Sequence, residues 1–290
     1  MPWRITLPST KTEFLAPTSI DEALQAISYE DAIFLGGGTS TALLYKTRLI
    51  EPSRVVWLGA LRDLSGISIS KNEIRIGSMV SMSKISQSNE LSQLVPALTT
   101  AAGVIGNARV RAMATIGGAL AHADPRQDVP PALIALDAVV ATKSSGGSRE
   151  VPLAEFYEGF LETVLAENEL ITEVKIPIVA NRRSAYLRYT PTSEGDYPTV
   201  GVAASVTYDS NNKAIKDVRI VLCGVGQTPI LATDSAQKVI EGNANPESLR
   251  EAANLVKQAV DPHDDERGSA DYKREMSEVF TLRALRECLA

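Results

Sequence analysis

Two glycine-rich loops constrain this chain more than any other feature. The first, FLGGGTST (Phe34–Thr41), is an apolar run that breaks into three successive glycines and then three hydroxyl residues. Glycines in such a turn let backbone N–H groups converge on an anion with no Cβ in the way. Thr39, Ser40 and Thr41 add hydroxyl donors. The second loop, TIGGALAHAD (Thr115–Asp124), repeats the logic: a hydroxyl, two glycines, then small residues. Either each is a tight turn before a helix, or the pair clamps a diphosphate from opposite sides. Asp124 and Asp128 follow at a spacing suited to accept hydrogen bonds from a ribose or adenine, while Pro125 and Pro130 equally suit a cap or turn. FLGGGTST lacks the Lys-Ser/Thr ending of a Walker A loop and the spacing of a GxGxxG dinucleotide fingerprint. His122 reads as a packed side chain before it reads as a catalyst. Arg109 and Arg111 flank the second loop, as phosphate partners or as surface residues. Trp3 and Trp57 are expected to be buried.

Bulk properties narrow the class. At 290 residues the chain is long enough to favour two domains. A net charge of −6 speaks against an electrostatic grip on nucleic acid or an acidic membrane. No apolar run reaches the roughly 18 residues of a membrane span. The amino-terminal residues lack a signal-peptide layout, which points to the cytoplasm. Cys223 and Cys288 are far apart, and His122 and His263 are the only histidines. They form neither a disulfide framework nor a metal site of the usual ligand count, so no iron–sulfur cluster is expected in this chain. Redox chemistry here would need an organic cofactor.

Along the chain, a short strand precedes a helix at TSIDEALQAIS, with Thr18 or Ser19 as N-cap and Glu22 as the reaching acid. An apolar strand runs into the first glycine loop. RVVWL (Arg54–Leu58) reads as a strand, and ISIS with EIRIG as a hairpin. The apolar spacing predicts one helix over Leu91–Gly106. Two strands flank the Ser/Gly turn after Leu136, and LITEVKIP alternates as a strand ending at Pro177. Beyond a compositional change at Val179–Ser184, strands surround the turn DSNNK. Three helical segments close the chain, the last preceded by a polar surface loop, His263–Lys273. The order suggests α+β organisation with a boundary near 178–184.

Taken together, the two loops resemble those of the flavin-binding medium subunit of the molybdenum hydroxylases, a group that includes carbon monoxide dehydrogenase and xanthine dehydrogenase. The AGGTD/AGGHS-like loop corresponds to Gly36-Gly37-Gly38-Thr39-Ser40, after Leu35. The TIGGN-x-x-x-ADP-x-x-D loop corresponds to Thr115-Ile116-Gly117-Gly118-Ala119, then Ala123-Asp124-Pro125 and Asp128. LRDLSGI, VRAMATIGG, ELITEVKIP and EGDYPTVGVA extend the likeness, in family order, over nearly the whole chain. The resemblance implies a two-subdomain FAD-binding domain of the PCMH type over residues 1–178, divided near residue 57. A smaller α+β domain over 179–290, an antiparallel sheet with helices, follows it. It further implies FAD with its pyrophosphate on the two loops. Ile171 would meet the isoalloxazine through its backbone, Arg188 would be a basic residue near the ring, and Tyr197 would stack on or cover it. Implied partners are a large molybdopterin-binding subunit and a small subunit with 2Fe–2S clusters; pairing of two such heterotrimers is left open. Ala119 stands where the family has asparagine, Arg188 where lysine is common, and the neutral run Pro191-Thr192-Ser193 where a basic residue is frequent. The cysteine-rich insertion that holds a 4Fe–4S cluster in some relatives is absent. Two other readings stay open: a self-contained flavoenzyme of the same binding fold, and a non-catalytic assembly scaffold.

Overall fold

The computed structural model describes residues 12–193, 195–211 and 214–290; Trp3 lies outside them. Three layers of sheet follow the order of the chain. The first is a small parallel sheet in which strand Arg54–Trp57 sits between Glu13–Leu15 and Ala32–Leu35. Helix Ile20–Ile27 makes one of its crossovers. Ser19 caps that helix by accepting from Glu22 N, and Glu22 Oε2 reaches one residue further out, to the N–H of Thr18 at 2.8 Å.

The second sheet is antiparallel and five-stranded. Strand Leu170–Pro177 lies at its centre, flanked by Glu73–Gly77 and Val139–Ser144, with Ile67–Ile69 and Gly147–Pro152 at the edges. Six short helices lie between Met82 and Ala135, and all but Ala108–Met113 contribute to the largest core. The single helix expected over Leu91–Gly106 is two helices, Asn89–Leu94 and Pro96–Gly103. Val95 between them is non-helical (φ −141°, ψ 59°), because Pro96 has no N–H to donate and disfavours helical backbone in the residue before it.

The third sheet is antiparallel, ordered Arg182–Tyr189, Val200–Tyr208, Ile215–Cys223, Ile230–Leu231. Strand Val200–Tyr208 is buried at all but its last residue, so both its faces are covered. Val200, Val202, Ala204 and Val206 face a core with the helices Thr233–Glu241, Pro246–Ala259 and Ala270–Leu289. Ala203, with Tyr186 and Val221 from its neighbours, belongs instead to the core of the second layer. The period-two alternation of a strand thus joins the carboxy-terminal sheet to the glycine-loop region.

One expectation fails here and another holds only in part. Trp57 is 36% exposed, beside the still more open ring of Phe14. The segment His263–Lys273 is largely an exposed loop as expected, but its end is the first turn of helix Ala270–Leu289. Lys273 is buried, with Nζ donating to His263 O and paired to Asp265 at 2.7 Å, and the Arg267 side chain turns inward to Asp196. These charges find partners inside the fold, which polarity alone does not announce.

Candidate functional site

The two glycine loops meet. An added Cβ on Gly37 would lie 1.6 Å from the carbonyl oxygen of Met113, and one on Gly36 would lie 2.8 Å from Thr115 Oγ1. The first loop is therefore laid directly on the entry to the second, and only glycine permits that approach. Together they floor a cavity of about 720 Å3, within the range of about 300–1,000 Å3 for small-molecule sites.

The loops are not equivalent. In the second, the backbone donors are spent: Ile116 N donates to Val80 O, Gly117 N to Ser78 O, Gly118 N to Thr115 Oγ1 and Ala119 N to Thr115 O. In the first, no group among the described residues accepts from the N–H groups of Gly37, Gly38, Thr39, Ser40 and Thr41. Gly38, at φ +73°, turns the chain there. A run of unclaimed donors along a cavity floor forms a nest for a polyanion. Opposed N–H clamps are thus replaced by one donor loop resting on a packed one. Gly117 packs against Ser78, whereas an added Cβ on Gly118 meets only Thr115 Oγ1, at 2.9 Å, and otherwise faces the cavity.

Of the residues singled out from sequence, Gly36, Gly37, Gly38, Thr39, Ser40, Thr115, Gly118, Ala119, Asp124, Asp128 and Tyr197 line this one cavity. Leu35, Ile116, Gly117 and Arg188 are absent from the lining. Ile171 is absent from the lining: it is 4% exposed, in register with Thr142 on the central sheet and part of the main core. Arg109 and Arg111 are likewise absent from the lining, and Arg111 Nη1 instead donates to the carbonyls of Ile105 and Gly106.

The two aspartates are engaged by the protein. Asp124 accepts from Arg126 N at 2.9 Å and from the Arg126 guanidinium at 3.1 and 3.0 Å. Asp128 accepts from Tyr186 Oη at 2.6 Å and from Arg188 Nη1 on both oxygens, at 3.3 and 3.2 Å. Burial pushes the Asp128 carboxyl up to about 6, against the pull of Arg188. Tyr186 and Arg188 are two apart on one strand and so share a face. Gly201, on the neighbouring strand, clears their path: an added Cβ there would lie 2.2 Å from Tyr186 Oη. Sequence reasoning missed Tyr186, although its alternation with Arg188 was a usable signal.

The roof comes from residues 195–197. Asp196 Oδ1 accepts from Tyr197 N and from Arg267 Nη2, at 2.8 and 2.9 Å, and Oδ2 accepts from Thr192 Oγ1 at 2.7 Å. The hydrogen bonds from Thr192 and Arg267 hold its carboxyl down to about 2. Tyr197 lies under the Arg126 guanidinium, 5.1 Å from the ring centroid, and burial pushes its phenol up to about 12. Phe34, Leu43, Leu44 and Ile50 give the cavity an apolar wall. His122 also lines it, and burial lowers its pKa. Arg126, Gln127, Asp196 and Arg267 were not anticipated, and Arg267 carries no local signal because its partner is distant in sequence.

Comparison with known proteins identifies the family. The profile of the family described as "FAD binding domain in molybdopterin dehydrogenase" matches residues 10–179, and that of "CO dehydrogenase flavoprotein C-terminal domain" matches residues 185–288. The glyceraldehyde dehydrogenase medium chain of Sulfolobus acidocaldarius is 30% identical over 94% of this chain and 97% of its own length. The carbon monoxide dehydrogenase medium chain of Hydrogenophaga pseudoflava is 30% identical over 94% of this chain and 95% of its own. A solved structure of carbon monoxide dehydrogenase from that organism superposes with a TM-score of 0.91 at 30% identity, over 96% of this chain and 97% of the other. Quinoline 2-oxidoreductase from Pseudomonas putida 86 superposes at 0.89 with 28% identity, over 96% of each chain.

Proposed function

The chain belongs to the FAD-binding medium subunits of the molybdenum hydroxylases, and on that premise we propose that it is the electron-transferring flavin subunit of a heterotrimer. A small partner would carry 2Fe–2S clusters and a large one the molybdopterin centre. The observation that carries the cofactor assignment is the run of N–H groups from Gly37 to Thr41 on the floor of the cavity, unclaimed among the described residues. These donors, with the hydroxyls of Thr39, Ser40 and Thr41, suit a diphosphate, and no unpaired cation is needed.

When bound, FAD would supply one- and two-electron redox chemistry, which suits a carrier between iron–sulfur clusters and an external acceptor. This chain's residues bind and orient it. The Gly36–Thr41 loop holds the diphosphate, Gly118 and Ala119 leave room beside it, and Tyr197, pinned by Asp196 and Arg267, covers the cavity. Arg188 and Asp128 set the charge behind the wall, and no side chain is required as general acid or base. On the same reading the chain divides near residue 178 into a cofactor domain and a carboxy-terminal domain. Relatives named for glyceraldehyde, carbon monoxide and quinoline share this fold, which supports substrate choice residing in the large partner.

The test is purification of the complex from its native host under non-denaturing conditions. Two further chains, with iron, molybdenum and flavin in fixed ratio, are expected. A lone flavin-bearing chain that turns over substrate unaided would replace this reading with that of a self-contained flavoenzyme.

A further inference from the structure

One polar atom of a residue that lines the cavity has no hydrogen-bond partner among the described residues. Gln127 lines the cavity, and its side-chain Oε1 is buried without a hydrogen bond. Its position is not accidental, because the turn that carries it is fixed on both sides. Gln127 N donates to Asp124 O at 3.1 Å, Arg126 is clamped on Asp124, and Asp128 is held by Tyr186 and Arg188. An acceptor buried and left unpaired is costly, and folded proteins rarely tolerate one without a partner.

We infer that Gln127 is a cofactor-binding residue whose side-chain carbonyl accepts a hydrogen bond from a donor group on the bound nucleotide. This rests on the FAD reading above. The chemistry of the partner follows from the chemistry of the atom. A diphosphate offers only acceptors, so it cannot satisfy Oε1. The donor must be a hydroxyl of the ribityl chain or ribose, a ring N–H, or an exocyclic amine. Asp124 and Asp128 would be the obvious acceptors for such groups by spacing alone. Their oxygens already accept from Arg126, Tyr186 and Arg188, whereas Gln127 Oε1 has no donor among the described residues. Ala119 offers no side-chain hydrogen bond, and Gln127 is the one carboxamide among the described residues of the wall.

The test compares the full-length chain, stripped of flavin, with its Gln127→Met variant, which keeps the length of the side chain and removes the carbonyl. FAD affinity is read by calorimetric titration and the stability of the flavin-free protein by its thermal midpoint. The two readouts should move in opposite senses. FAD affinity should fall about 5- to 10-fold, while the flavin-free variant melts at or above the wild-type midpoint, having lost a buried unpaired acceptor. Titrations with FMN and with ADP assign the donor: a matching loss for FMN places it on the ribityl–isoalloxazine half, one for ADP on the adenosine half. Unchanged FAD affinity overturns the inference, as does a lowered midpoint with unchanged affinity, which would make Gln127 a structural residue. A wild-type chain that takes up no FAD would instead overturn the cofactor reading itself, and the inference with it.

Discussion

Substituting Gly37 with alanine should separate the two loops. The added methyl would sit 1.6 Å from Met113 O, about 2 Å short of an ordinary contact, and its neighbour is backbone that cannot rotate away. Either the first loop lifts or the Met113–Thr115 segment retreats. The second route is blocked, because Met82 N donates to Ala114 O and Ile116 N to Val80 O. Lifting the first loop disorganises the donors from Gly37 to Thr41. Overpacking against backbone should cost roughly 3 kcal/mol, near the upper end of the usual range. That corresponds to a fall of about 6–12 °C in Tm for a domain of this size. The companion is Gly118→Val, where the nearest obstacle to the Cβ is Thr115 Oγ1 at 2.9 Å and the branches project into the cavity. Disturbing that cap should cost only about 1 kcal/mol. Differential scanning fluorimetry of the flavin-free chain and titration with FAD separate the two. Gly37→Ala should lose stability and FAD together, and Gly118→Val should lose FAD with Tm within a few degrees of wild type. Wild-type Tm and affinity for Gly37→Ala would refute the loop contact, and full FAD retention by Gly118→Val would remove the second loop from the site.

Three other outcomes follow from the buried charges. Arg188→Met strands the buried Asp128 carboxylate and should cost about 3–5 kcal/mol at pH 7, measured by urea denaturation. Burial raises the folded pKa of Asp128 to about 6, above the ordinary carboxyl value of 3.8. Its share of stability is therefore complete below about pH 3.8 and lost as pH rises through about 6, so the Arg188→Met penalty should shrink markedly at pH 5. Glu169 behaves in the opposite sense. The Arg149 guanidinium, at 2.6 Å, and Thr142 Oγ1 hold its carboxyl down to about 2. Its stabilisation is present above about pH 4.5 and lost as pH falls through about 2, and Glu169→Gln should flatten the acid limb of the stability curve, with no such change refuting the assignment. Tyr186→Phe removes one of the bonds to Asp128 and should cost about 1–2 kcal/mol; an equally stable variant would show that Arg188 suffices.

The sequence was legible where a local rule operates. Alternation located the hairpin at Ile67–Gly77 and the strand Leu170–Pro177, and Ser19 with Glu22 marked a helix start. The paired glycine loops were legible because close backbone approach admits few other residues. Pro96 shows a local rule outweighed by a more conspicuous apolar period: the spacing ran on through a residue that cannot continue a helix. Long-range pairing was not legible. Nothing near Asp128 names Tyr186 or Arg188 as the donors that occupy it, and nothing near Asp196 names Arg267. The unequal use of backbone donors in two loops of similar composition was also hidden. It depends on which carbonyls the fold brings alongside, Ser78 and Val80 in one case and none among the described residues in the other.

The most direct measurement of the central claim is the visible absorption spectrum of the purified full-length chain, followed by titration of its flavin-stripped form with FAD. The account predicts flavin bands on the chain as isolated and saturable rebinding of FAD at one per chain. A colourless chain that takes up no added FAD would contradict it, and would reduce both glycine loops to turns.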